Sequence, residues 1–457
     1  MNAGSDHPQD LTLREQARAV AAGELDATEL LDATLRRIEE RDGPVNSIVD
    51  TFASESARML NEAPEGPLHG VPIAVKDMFT LPWRAPRDGA PRNLQGFGPG
   101  ESAVYRRLRD AGAVIVAVTN MHEFGAGSTG HLSVYGPCAT PWDTTRCAGG
   151  SSGGSGAAVA ARLVAGAVGT DGGGSIRYPS AYCGITGLKL TWGTVPPDGY
   201  THGHASLGAP GPMCRDAADA RLLGEALAAR PLPEQRATNL RVGVVRTFWE
   251  DIDPEVHEHC DLAVERLRES GLTVAEVELD GTEFVRIATV LRLGLEGDPY
   301  VKPEIWEEIQ GEVSPVGRAL AKYLSLAPAT AVVRTDLVRA QLRRSLARAF
   351  GHVDVLAWPM VPAPPPPIAD PRVQLPSGEV PADYGNVRQG GIANLSGVPA
   401  LSAPCGFTRT GLPIALHLLA HWGEDERLLD VAELLEQATE RRYVDAVPPL
   451  AHATAVS

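Results

Sequence analysis

Lysine is nearly missing from this chain. It occurs only at Lys76, Lys189, Lys302 and Lys322, although Lys and Arg together number 41. Most of that skew reflects codon composition and carries no function. It still singles out four positions, because a buried lysine can lose its proton and an arginine cannot. Cysteine is scarce too: six in 457 residues, with no CxxC pair, which excludes a disulfide scaffold. His257, Glu258 and His259 have no nearby cysteine or second histidine pair, so no metal site is expected there. No run of 18 apolar residues occurs, and the first ten residues lack an apolar stretch. Neither a membrane span nor a secretory leader is therefore expected. Positive charge is in deficit, with 57 Asp and Glu and a net charge of −16. That excludes a surface built to coat nucleic acid or anionic lipid. The expected setting is soluble, reducing and cytoplasmic.

What is present reads as a globular α/β chain. Apolar residues make up 43% and charged residues 21%, ordinary usage for a packed core. Length alone would allow about three domains, but the patterning favours one unit. Residues 1–62 read as an N-terminal helical wrap, with Thr12 and Asp26 each three residues before an acid, as N-caps. Residues 63–457 alternate short apolar strands with helices, and continuous runs such as 113–118 (AVIVAV) suit strands covered on both faces. Residues 281–350 read as a helical insertion. The proline-dense stretch 362–367 reads as a rigid loop, since strand-like sequence resumes near Ala400.

Glycine is concentrated in residues 149–156 (GGSSGGSG) and 169–175 (GTDGGGS). Such density costs backbone entropy and is tolerated where the chain must take unusual angles or approach a ligand. Flexible loops are the plain alternative, but both runs abut Ala/Val segments, as buried loops would. A phosphate cradle would need a lysine after the last glycine, and none follows. A nucleophile elbow, GxSxG, is matched around Ser151, but residues 140–143 before it read as loop rather than strand. A third alternative joins both runs to Lys76. Ser175 follows three glycines. A helix starting near it would let the amides of Gly172, Gly173, Gly174 and Ser175 converge as an oxyanion hole. Ser175 then stands where a nucleophile would. Lys76, ending an apolar strand, is placed to be desolvated into a neutral base. Asp77 should face away from it, since neighbouring strand side chains alternate.

Residues 68–77 (LHGVPIAVKD), 149–155, 169–177 and 183–189 (CGITGLK), in this order and with these gaps, resemble the amidase signature family. The likeness continues through Gly211-Pro212-Met213, Asn394-Leu395-Ser396-Gly397 and Gly411-Leu412-Pro413, covering about residues 65–435. It implies an α/β fold on a large twisted mixed β-sheet covered by helices on both faces. It implies a Ser–Ser–Lys triad: Ser175 as nucleophile, Ser151 on a cis peptide as bridge, and Lys76 as the ultimate base. It implies hydrolysis of a carbon–nitrogen amide bond through an acyl-enzyme, without metal or organic cofactor. Gly125 and Gly127 are taken to line the substrate pocket, with further walls from residues 200–206, 298–309 and 386–392. His202 and His204 are placed to face it. Asp171, Arg177 and Lys189 are read as structural.

Departures from the family bear on substrate. Residues 83–89 (WRAPRDG) replace a usual Thr/Gly/Ser stretch, and Leu190 stands where a proline is usual. Val387 occupies the place where tRNA-dependent glutamine amidotransferases carry an aspartate for the glutamine amino group, which counts against glutamine. The alternatives to a hydrolase are an amidotransferase-type subunit releasing ammonia to a partner, or a biosynthetic acyltransferase on the same triad. The expected substrate is a small or medium, neutral or aromatic amide, because no amphipathic docking helix for long acyl chains is evident. Expected partners are that amide and, at most, a second copy in a homodimer; neither nucleic acid nor membrane is expected.

Overall fold

A computed structural model describes residues 7–201, 206–235, 240–297, 301–324 and 326–452. Eleven strands form one mixed sheet. Its order runs Ile48–Thr51, Val114–Thr119, Pro72–Lys76, Gly166–Asp171, Ala209–Cys214, Thr186–Lys189, Ala400–Phe407, Pro413–Ala420, Val355–Pro359, Arg241–Val244, Thr273–Glu276. Pairing is parallel among the second to fourth strands and among the last three, and antiparallel elsewhere. Strands Pro72–Lys76, Val114–Thr119 and Gly166–Asp171 are buried at every residue. Runs of Val, Ile and Ala with no polar face need helices over both sides of the sheet, and helices cover it. One hydrophobic cluster extends from Leu13 to Leu435, so the N-terminal helices share the sheet's core.

The N-terminal segment is not purely helical. Helices Leu13–Ala21, Ala27–Arg41 and Ala53–Glu62 lie here, and the first two follow their predicted caps: Thr12 and Glu15 form a capping box, and the Asp26 carboxylate accepts from Thr28 and Glu29. Between the second and third, Ile48–Thr51 adds an edge strand against Val114–Thr119. Its last two residues are exposed, and an edge strand needs too little apolar pattern to stand out in sequence. The 281–350 insertion contributes Val285–Gly297, Pro303–Ile309, Pro315–Leu324 and Thr330–Phe350.

A strand does precede Ser151, contrary to expectation. Asp143–Cys147 pairs with Ala139–Thr140 in a separate two-stranded hairpin. Its polar residues are partly exposed, which hid it from an apolar-run criterion. The proline stretch is a rigid loop fastened to this hairpin: the Cys147 N–H donates to Pro366 O at 2.9 Å and Arg146 Nη1 to Pro365 O at 3.0 Å. The helix expected near Ser175 runs from Arg177 to Cys183 and ends on Gly184 at φ 68°. Its first turn closes earlier, through Tyr178 N–H to Gly174 O at 2.8 Å.

Candidate active site

Parallel pairing of Pro72–Lys76 with Gly166–Asp171 carries Lys76 beside Thr170. Lys76 is fully buried. Its Nζ donates to Ser151 Oγ at 2.6 Å and to Thr170 Oγ1 at 2.8 Å. Burial pulls its pKa down to about 7, against the upward pull of the Asp171 and Asp88 carboxylates. Asp77 faces away, as strand alternation requires. Its carboxylate accepts from Arg84 Nη1 at 2.6 Å, from the Arg87 N–H at 3.0 Å and from the Tyr135 hydroxyl at 3.1 Å. The unusual 83–89 segment thus supplies, in Arg84, the counter-charge of Asp77.

The first glycine run is held by its neighbours rather than loose. The Gly150–Ser151 peptide is cis. The His122 N–H donates to Ser151 O at 3.0 Å, the Gly150 N–H to Ser128 O at 2.8 Å and the Gly149 N–H to Thr129 O at 3.1 Å. Ser152 ties the two runs together: its N–H donates to Ser175 O at 3.1 Å, and its hydroxyl donates to Thr170 O at 3.2 Å. Gly125, at φ +70°, lies with its missing side chain directed within 3.6 Å of Ser151 Oγ. Gly127 sits flat against the His122 ring, where a Cβ would collide. Burial lowers the His122 pKa to about 4, against the pull of Asp383. The neutral ring accepts the Gly130 N–H on Nδ1 at 3.2 Å.

The second run wraps a buried carboxylate. Arg177 forks onto Asp171 through Nε and Nη2, both at 2.9 Å, and Asn394 Nδ2 donates to Asp171 Oδ1 at 2.9 Å. Burial alone would raise the Asp171 pKa, but the Arg177 guanidinium outweighs it and holds the carboxyl well below the usual range. The Gly174 N–H at 2.7 Å and the Ile176 N–H at 3.2 Å also point to this carboxylate. Gly174 is therefore not a free donor, contrary to the expectation that its amide would join the other three. The N–H groups of Gly172, Gly173 and Ser175 have no acceptor among the described residues. Ser175 is partly exposed, and its hydroxyl has no protein partner among them.

Lys76 and Ser151 were legible before the fold was known, and so was Ser175 beside the free amides. Thr170, the second hydroxyl on Lys76, and Ser152, the tie between the runs, were missed. Strand pairing was the only signal for Thr170, and pairing is invisible in a single sequence. His202, His204 and residues 298–300 of the expected pocket wall lie outside the described residues.

Fold and site together set a buried lysine, two serine loops and a row of free backbone amides on one mixed α/β sheet. The family model described as Amidase matches residues 29–429, and the chain belongs to that amidase signature family. A solved amidase structure superposes with a TM-score of 0.88 at 30% identity, covering 93% of this chain and 99% of the other. A substrate complex of 6-aminohexanoate cyclic dimer hydrolase gives 0.88 at 26% identity, covering 97% and 100%. A glutamyl-tRNA(Gln) amidotransferase subunit from Methylococcus capsulatus (strain Bath) is 34% identical, covering 94% of this chain and 97% of its own length. The chain is thus an enzyme of a family acting on C–N bonds. Among the described residues, no helix is long and apolar enough to cross a membrane.

Proposed function

We propose that this chain cleaves an amide C–N bond through an acyl-enzyme on Ser175. The observation that carries the reading is the fully buried Lys76, its pKa drawn to about 7, with Nζ 2.6 Å from Ser151 Oγ. Neutral Lys76 takes the Ser151 proton as Ser151 takes that of Ser175. Ser175 attacks the carbonyl, and the free amides of Gly172, Gly173 and Ser175 receive the oxyanion. The relay returns a proton to the leaving nitrogen, and water then opens the ester. This requires the Ser175 hydroxyl to turn onto Ser151, a contact that such sites commonly complete only with substrate bound. A fluorophosphonate probe should label Ser175, and Ser175→Ala should lose both labelling and turnover while keeping the fold. Labelling at Ser151 would restore the nucleophile-elbow reading and sink this one.

A second reading concerns the acceptor. The amidotransferase relative supports a role in releasing ammonia from glutamine to a partner protein; Val387 is the residue that argues against glutamine. Ammonia release from glutamine, assayed with and without candidate partner proteins beside a panel of simple amides, separates the two. Six free, buried cysteines support a reducing, cytoplasmic setting for either.

A further inference from the structure

Asp383 is a carboxylate near the site whose arrangement the chemistry above leaves unexplained. It lies in the first turn of helix Ala382–Ser396. Its Oδ1 accepts the Ser128 N–H at 2.6 Å and the Ser128 hydroxyl at 2.7 Å. Ser128 in turn holds the Ser151 loop, since Ser128 O accepts the Gly150 N–H at 2.8 Å. One turn further on, Asn386 Nδ2 donates to the same Ser128 hydroxyl at 3.0 Å. Asn386 O receives the Tyr178 hydroxyl, which also reaches Gly173 O at 2.7 Å. The first turns of the helix, which carry Asp383, are therefore tied to both the Ser151 loop and the Gly173–Ser175 loop. Asp383 also lies close enough to the His122 and His131 rings to favour their protonated forms.

Two features separate this carboxylate from a structural brace. Its Oδ2 accepts no hydrogen bond from any described residue, and no described Lys or Arg pairs with it, although the side chain is only half-exposed. Two donors on Oδ1 fix its orientation in advance, leaving the other oxygen open to something outside the chain. A prefixed acceptor of this kind recognises a cation or a strong donor more effectively than a mobile one.

We propose that Asp383 is a specificity-determining residue that receives an ammonium group of the substrate, so that the preferred amides carry a free amino group. This rests on Ser175 as the nucleophile and replaces the neutral amide expected from sequence.

The test measures how hexanamide and its 2-, 4- and 6-amino derivatives slow fluorophosphonate labelling of Ser175. In the native chain at least one amino derivative should protect at a concentration ten-fold or more below hexanamide. That advantage should weaken with added salt, while protection by hexanamide should not. In Asp383→Asn the advantage should disappear, with hexanamide unchanged within about three-fold, and Asp383→Glu should restore part of it. If no amino derivative outperforms hexanamide in the native chain, the inference is wrong, and that arm needs no variant to fold. If Asp383→Asn weakens every ligand alike, Asp383 merely braces Ser128. Absence of labelling at Ser175 removes the nucleophile itself, and this inference with it.

Discussion

Two buried lysines mark two regions of this molecule to which the proposed function gives different roles. Lys76 and Lys189 are both fully buried, and burial draws both down to a pKa of about 7. Asp171 pulls both back upward. What differs is what each amine touches. Lys76 meets two hydroxyls, Ser151 and Thr170. Lys189 meets two carbonyl oxygens, Leu190 O at 3.1 Å and Val398 O at 2.9 Å. A hydroxyl can accept a proton or give one; a carbonyl can only accept. A depressed pKa is therefore not sufficient for a base. The amine must also face a group able to surrender a proton.

The largest effect should come from removing the titrating group while keeping its charge. Lys76→Arg should be nearly as inactive as Lys76→Ala, with kcat down about 10³-fold or more, roughly 4 kcal/mol in barrier. A guanidinium would hold charge against Ser151 without yielding its proton. Retention of more than about a tenth of native activity, under about 1.4 kcal/mol, would mean that Lys76 acts by charge alone. The same logic fixes the pH profile. Only neutral Lys76 can take a proton, so activity should rise through about pH 7 and level off above it. A profile flat from about pH 5.5 to 8.5 would contradict a titrating base in that range.

The contrast between the lysines was half legible in the sequence. Scarcity of lysine pointed to both, and the apolar run that ends at Lys76, together with the family resemblance, distinguished it from Lys189. The main strands were readable because Val71 to Val75 and Ala113 to Val118 are unbroken apolar runs. The strands missed, Ile48–Thr51 and Asp143–Cys147, are a short edge and a polar hairpin, where burial leaves little mark. The Asp171–Arg177–Asn394 contact joins segments more than 200 residues apart, and no local pattern encodes such a contact. The engaged Gly174 amide and the free Oδ2 of Asp383 likewise exist only once the chain is folded.

Asp171 links the two regions, and its neutralisation should give the next largest effect. Asp171→Asn leaves the buried Arg177 without its counter-ion, which in comparable pairs costs about 3–5 kcal/mol. The urea midpoint should fall accordingly. Because Asp171 raises the pKa of Lys76, any surviving activity should reach its plateau at lower pH than in the native chain. An unchanged pH midpoint would show that the carboxylate shapes the loop without acting on the base.

The smallest effect on turnover, and the sharpest test of the comparison, is Lys189→Met. Lys189 donates only to carbonyls, so kcat should stay within about three-fold of native, though two carbonyls lose their donor at about 1–3 kcal/mol in stability. The pH dependence of stability then separates the lysines without an activity assay. In the folded chain Lys189 is neutral above about pH 7, whereas unfolded it stays protonated up to 10.5. Between those limits the unfolded state binds the extra proton, so stability rises with pH by up to about 1.4 kcal/mol per unit for each such lysine and is lost as pH falls through 7. Lys76 contributes the same slope in both proteins, and so do the buried thiols, so both cancel in the difference. Urea unfolding from about pH 7.5 to 9 should therefore show native minus Lys189→Met stability growing with pH, while the pH–activity curves of the two proteins coincide. Parallel stability curves would mean that Lys189 stays charged in the fold under the pull of Asp171, and that burial alone does not neutralise it.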